Sequence, residues 1–151
     1  DKFITELTIP KLGEERSKWL YPIQSLLDSG ALVVFGSDGF VSSGNPLLGS
    51  GTAITRRAPI TNESEPFLDH QRIGLTAALK AYTLNAAYIN FIEHETGSLE
   101  VGKQADLIVL DKNLFDLKSS EISEASVVLT LIDGERVYGE WSLEPLGKTA
   151  L

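Results

Sequence analysis

Leu32-Val33-Val34-Phe35-Gly36-Ser37-Asp38 is the stretch on which the reading of the fold turns. An apolar run ending on glycine and then an acid reads as a buried strand that delivers one carboxylate to its C-terminal end. In a (β/α) barrel that end is where chemistry sits, which makes Asp38 the first candidate for a working residue. The plainer alternative is that Asp38 merely turns the strand end. Upstream, Trp19, Ile23, Leu26 and Leu27 recur at helical spacing. Pro22 suits a first turn near Tyr21, and Gly30 falls where a left-handed residue ends a helix. A helix closing on Gly30 and turning at once into a strand over residues 32–36 is an αβ unit, so the expected architecture is α/β with a buried parallel strand.

Residues 1–14 scatter Phe3, Ile4, Leu7, Ile9 and Leu12 at no clean period, broken by Pro10 and Gly13, and read as an irregular lead-in with at most one short strand. After Asp38, Asn45-Pro46 joins a preferred N-cap to a residue favoured at the first helical position. A helix should therefore run through Leu47, Leu48 and Ile54 towards Arg56, with Gly49 and Gly51 marking close packing. Residues 58–72 lack periodicity and read as a surface loop. Leu75, Leu79, Tyr82, Ala86 and Ile89 then keep a helical spacing behind Thr76 as N-cap, which predicts one long helix with that stripe buried.

From Glu95 the grammar changes. Gly97, Gly102 and Asp106 punctuate short segments, Leu107–Leu110 is an apolar strand, and Asp133-Gly134 between two β-rich runs is a hairpin signal. Two units are expected: residues 1–94, and a smaller β-rich unit over residues 95–151.

The chain has 151 residues, enough for one domain but short of a complete TIM barrel, which seldom falls below roughly 200. A net charge of −8 argues against nucleic-acid and anionic-membrane partners. No apolar run approaches the ~18 residues of a membrane span, so a soluble protein is expected; the compartment stays open, with cytoplasmic favoured over exported. There is no cysteine, which excludes disulfides and thiolate metal sites, and no methionine, which reads as a removed leader or a piece of something longer. Ser37 has Phe35 two before it and Gly39 two after it, half of the Gly-x-Ser-x-Gly elbow, and a serine hydrolase is rejected. The glycines after Phe35 do not follow a phosphate-binding spacing. His70 and His94 are far apart in different contexts and build no zinc centre. Arg56 and Arg57 close the helix that follows Asp38, where a cation suits the C-terminal dipole. Their functional alternative is a clamp on a substrate carboxylate or carbonyl.

Three segments in fixed order resemble the C-terminal part of the metal-dependent amidohydrolases. They are Gly36-Ser37-Asp38, then Ala81-Tyr82-Thr83-Leu84-Asn85-Ala86-Ala87, then Gly97-Ser98-Leu99-Glu100-Val101-Gly102-Lys103-Gln104-Ala105-Asp106-Leu107-Ile108-Val109-Leu110-Asp111. The likeness is to amidohydrolase family 3, its YtcJ-like and D-aminoacylase-related branch. It continues through Thr55-Arg56-Arg57 and Val128-Leu129-Thr130-Leu131-Ile132-Asp133-Gly134-Glu135-Arg136-Val137-Tyr138 and runs from Lys18 to Trp141.

The resemblance implies a C-terminal fragment of a TIM (β/α)8 barrel, strand 8 with the terminal helices, plus part of a small β-sandwich. It also implies a parent enzyme that hydrolyses a non-peptide C–N bond of a small-molecule substrate by attack of metal-activated water. Asp38 matches the strand-8 aspartate, which contacts that water and shuttles its proton, and so counts as a metal-site residue in the full-length parent alone. The implied cofactor is a divalent metal, zinc, which this chain by itself is not expected to bind tightly. Lys103 lies on the return strand and is structural. The His-x-His after strand 1, the bridging lysine and the later histidines have no counterpart here and would precede Asp1. Gly39-Phe40 stands where Trp-Pro is more usual. The implied partner is the missing N-terminal part of the barrel, and the isolated chain should be inactive. The rival reading is a non-catalytic module that self-associates through open strand edges.

Overall fold

In the computed structural model, which describes residues 3–39, 41–58 and 65–140, helices come first along the chain and strands last. A π-helical turn, Phe3–Thr8, runs into α1 (Ile9–Leu12) and α2 (Glu14–Ser17), so the lead-in is helical where irregular chain or a short strand was expected. Pro10 is tolerated because it lies in the first turn of α1, where its missing N–H is not needed.

The next helix, α3 (Ile23–Asp28), starts later than the spacing predicts, because Tyr21 adopts a left-handed φ of 51°. It ends as predicted on Gly30. The Gly30 N–H donates to Leu27 C=O (2.9 Å) and the Ala31 N–H to Leu26 C=O (3.1 Å), the paired bonds of a Schellman motif, with φ 82° at the glycine.

Residues 31–37 are extended but form no strand, and Leu32 is 51% exposed while Val33, Val34 and Phe35 are half-buried. The expected buried parallel strand is therefore corrected. A strand is defined by its ladder, and among the described residues no other strand lies beside this segment.

Helix α4 (Pro46–Thr55) begins as read: the Asn45 side chain accepts from the Leu47 N–H at 3.0 Å, and Pro46 follows the cap. It stops on Arg56, a left-handed C-cap. Gly49 and Gly51 do mark close packing. A Cβ at Gly49 would run into the Tyr82 hydroxyl, and one at Gly51 would meet Ser123 Cβ at 3.2 Å. Part of the predicted surface loop turns inward, with Gln71 only 2% exposed and its Nε2 donating to Ser25 Oγ at 2.7 Å.

The predicted long helix is two, α5 (Leu75–Tyr82) and α6 (Leu84–Ile89), broken at Thr83 with φ −122° and ψ −92°. Gly74, not Thr76, is the N-cap. The buried line is Ala78, Ala81 and Ala87, while Ile89 is exposed, because alanines let neighbouring backbone approach closely. 

The strands β1 (Leu107–Leu110), β2 (Val127–Ile132) and β3 (Glu135–Gly139) form one antiparallel sheet in the order β1-β2-β3. Ile132 pairs with Glu135 across Asp133-Gly134, whose φ values of 51° and 77° are those of a primed hairpin turn. The core crosses residue 94: Leu47, Ala53, Ile54, Ile73 and Ala78 pack with Leu114, Ile122 and Ala125. Among the described residues no helix is long and apolar enough to cross a membrane.

The Gly49 contact generates a test. Gly→Ala in a helix interior ordinarily stabilises by about 1 kcal/mol, but Gly49→Ala should destabilise by about 1–3 kcal/mol as an overpacked site does. Tyr82→Phe in the same chain should restore part of the loss, measured by thermal unfolding of both variants.

Candidate functional site

Asp38 lies just past the extended segment, in a left-handed conformation (φ 55°) that aspartate tolerates better than most residues. The loop beyond it folds back: the Val41 N–H donates to Asp38 C=O at 3.3 Å, and the Ser42 hydroxyl donates to Ser37 C=O at 2.6 Å. The carboxylate is exposed, with no hydrogen bond or ion pair among the described residues. Phe40, one of the two residues standing in place of Trp-Pro, lies outside the described residues, as do residues 141–151.

What holds the segment in front of Asp38 is the break between α5 and α6. The Phe35 N–H donates to Ala81 C=O at 3.1 Å, and Asn85 Nδ2 donates to Val33 C=O at 2.8 Å. The Phe35 ring meets Tyr82 edge-on at 5.3 Å, and burial pushes the Tyr82 hydroxyl up from its ordinary value. Asn85 was not singled out from sequence. The available signal was an asparagine inside an alanine-rich helical run, a residue that competes for backbone bonds and disfavours helix interiors.

Arg56 is only 8% exposed. Its Nε donates to Phe67 C=O at 2.9 Å, and its two terminal nitrogens donate to Tyr21 C=O and Leu20 C=O, each at 3.3 Å. The Phe67 N–H returns a bond to Arg56 C=O at 2.7 Å, and the guanidinium lies 5.6 Å from the Phe67 ring centre. Desolvation lowers its pKa, with Tyr21 opposing. Arg57 is half-buried and lines a cleft of about 210 Å³ with Thr55, Arg72, Ser119 and Ser120. Neither arginine pairs with Asp38.

The remaining polar residues sit apart. His70 is exposed in the 3-10 turn Asp69–Gln71, and His94 faces Glu95 at 3.4 Å. Lys103 donates to Ser98 Oγ at 2.6 Å and pairs with Glu100 at 3.3 Å; the bonds from Ser98 and Lys103 hold the Glu100 carboxyl below its ordinary value. No group of three or more His, Cys, Asp or Glu side chains able to hold a metal exists among the described residues. They therefore do not fit a metal centre: Asp38 is one carboxylate where several convergent ligands are needed. A cleft of about 750 Å³ is lined by Tyr82, Ala86, Leu107 and Ile132 among others, and does not include Asp38.

A family model described as the amidohydrolase family matches residues 3–138. The chain is 41% identical over 129 residues to the protein LONG AFTER FAR-RED 3 of Arabidopsis thaliana, covering 85% of this chain and 22% of that one. It is 34% identical over 119 residues to the N-substituted formamide deformylase of Arthrobacter pascens, covering 79% and 21%. Among solved structures, an uncharacterized metal-dependent hydrolase from Pyrococcus furiosus superposes with a TM-score of 0.56 at 27% identity, covering 74% of this chain and 22% of that one. The chain thus spans about a fifth of the length of these relatives.

The setting of Arg56 generates a second test. Arg56→Ala removes three hydrogen bonds to carbonyls, of which that of Tyr21 keeps the Ile23 N–H; charge-assisted bonds are worth about 1.5–3 kcal/mol each before compensation, so a loss of about 2–4 kcal/mol is expected. Arg56→Lys should recover little of it, since a point ammonium cannot span the fork. Denaturant unfolding of the two variants checks both statements.

Proposed function

Because this chain belongs to the amidohydrolase family, we propose that it is the C-terminal portion of a metal-dependent hydrolase acting on a non-peptide C–N bond, with Asp38 as the proton carrier. The observation that carries this reading is the placement of Asp38. An exposed carboxylate, unpartnered among the described residues, stands in a left-handed turn at the end of an apolar extended segment, inside the stretch that matches the family. A relative named as a deformylase of N-substituted formamides supports an amide-type bond, and the neighbour titled a metal-dependent hydrolase supports a metal.

In this reading residues 1–94 are the last part of a (β/α)8 barrel, with residues 31–37 in the place of strand 8, and residues 95–151 are part of a small β-sandwich. A divalent metal, zinc in this proposal, would supply polarisation of the attacking water, and its ligands belong to the rest of the parent. Asp38 takes the proton that water loses on attack at the carbonyl carbon and gives it to the leaving nitrogen, so the carboxylate ends as it began. By itself the chain has no counterpart for the metal ligands among its described residues and is proposed to be inactive. The partner that completes it is the N-terminal remainder, which would lie along the free edge of β1 and over the 750 Å³ cleft.

A second reading rests on a separate observation. Ile108, Ile132 and Tyr138, which the register sets on one face of the sheet, are each more than half exposed, an apolar face that also suits association of one copy with another. Sedimentation of the chain separates the two: a discrete oligomer supports the self-associating module, and a chain that becomes ordered only with the N-terminal remainder supports the fragment.

In the full-length parent, Asp38→Asn should lower kcat by roughly 10²–10⁴-fold, the range of a lost general acid–base, with little change in thermal midpoint because Asp38 is exposed. Steady-state hydrolysis of an N-substituted formamide with the two purified proteins checks this, and near-normal turnover would remove Asp38 from the mechanism.

A further inference from the structure

The break in the predicted long helix has an identifiable use. In an unbroken helix the Ala81 carbonyl would accept the Asn85 N–H. Here it accepts the Phe35 N–H at 3.1 Å instead, and the Asn85 side chain swings its amide onto Val33 C=O at 2.8 Å. In an extended chain the C=O of residue 33 and the N–H of residue 35 project from the same edge. The α5–α6 junction therefore offers that edge one acceptor and one donor, as a neighbouring strand would. Of the two, the Ala81 carbonyl is main chain, so Asn85 is the member of the clamp whose chemistry the sequence can change.

Two bonds of opposite sense, two residues apart, define where the segment sits along its own axis. A slip of one residue would turn Val33 and Phe35 to the opposite faces and carry Asp38 with them. Between Phe35 and Asp38 lie only Gly36 and Ser37, too short a link to absorb such a shift. From this geometry we infer that Asn85 is a positioning residue for Asp38: it fixes the axial position of residues 31–37 and so the point in space at which the carboxylate is presented. This inference rests on the proton-carrier reading of Asp38. Asn85 acts through the backbone and touches no substrate.

The test uses the full-length parent carrying Asn85→Asp, Asn85→Ala, Asp38→Asn and the two double variants. Asn85→Asp keeps the size of the side chain and removes the donor, so it reports on the clamp even where the alanine variant folds poorly. With an N-substituted formamide as assay substrate, either Asn85 variant should lower kcat by roughly 10- to 100-fold, the cost of about 1 Å of misplacement, with KM little changed. In the Asp38→Asn background the same substitutions should have almost no further effect, because the group they position is gone. Amide exchange at Phe35 should quicken in the Asn85 variants, and a crystal structure of Asn85→Asp should show Asp38 displaced.

The outcomes separate. If Asp38→Asn keeps normal turnover, the proton-carrier reading fails and the positioning role falls with it. If Asp38→Asn abolishes turnover but the Asn85 substitutions cost the same factor in both backgrounds, or nothing, positioning alone is overturned. If the parent does not turn the formamide over, the proposed substrate class fails, and the Asn85→Asp structure decides: Asp38 unmoved overturns the inference, Asp38 displaced upholds it.

Discussion

An extended segment must place its backbone N–H and C=O groups somewhere, and in this chain that demand falls on residues 31–37, which have no strand beside them among the described residues. The response is the junction of α5 and α6. Ending α5 at Tyr82 frees the Ala81 carbonyl for Phe35, and restarting the helix at Leu84 turns Asn85 towards Val33. Other features follow from this junction. Phe35 and Tyr82 meet edge-on there, the Tyr82 hydroxyl comes to rest over α4, and only glycine leaves room for it at position 49. One pair of hydrogen bonds thus orders a helix break, an aromatic contact and a glycine on a third helix.

A second constraint ties the opposite end of α4. Arg56 caps the helix in a left-handed conformation, unfavourable for a residue with a Cβ by about 1–2 kcal/mol, and its guanidinium binds three carbonyls from the Tyr21 and Phe67 turns. The arginine that sequence reading offered as a clamp on substrate thus spends its described bonds on the chain itself. Between its two ends α4 packs on the 3-10 turn Ser119–Glu124, where Ile122 is 2% exposed. Residues on both sides of position 94 therefore share one core, even though the sequence grammar changes there.

The sheet stands in contrast to that core. Every residue of β3 is exposed, and Ile108 and Ile132 are more than half exposed on the strands before it. Burying one such side chain fully is worth about 1.5–3 kcal/mol, so these side chains represent free energy the described residues do not collect. In the proposed parent the N-terminal remainder would collect it. The same remainder would bring the metal ligands, so the uncovered sheet and the solitary Asp38 have one explanation.

Local chemistry was legible in the residues themselves. Asn45-Pro46 starts α4, Gly30 ends α3 and Asp133-Gly134 turns the hairpin, because a cap, a left-handed glycine and a primed turn need only near neighbours. Long motif matches made the family legible as well, and with it the candidacy of Asp38. Features set by distant partners were not legible. Apolar residues 32–35 carry the composition of a buried strand whether or not a neighbour lies alongside, so only the tertiary structure shows them half-covered and held by helix ends. The spacing of Leu75 to Ile89 fits one helix, and its break at Thr83 answers to a peptide group some fifty residues earlier in the chain. The sequence by itself determined the Asn45 cap, the Gly30 stop, the Asp133-Gly134 turn and the family; the tertiary structure decided which backbone groups Phe35, Asn85 and Arg56 would satisfy, because hydrogen bonds across such separations are chosen by packing and leave no periodic trace.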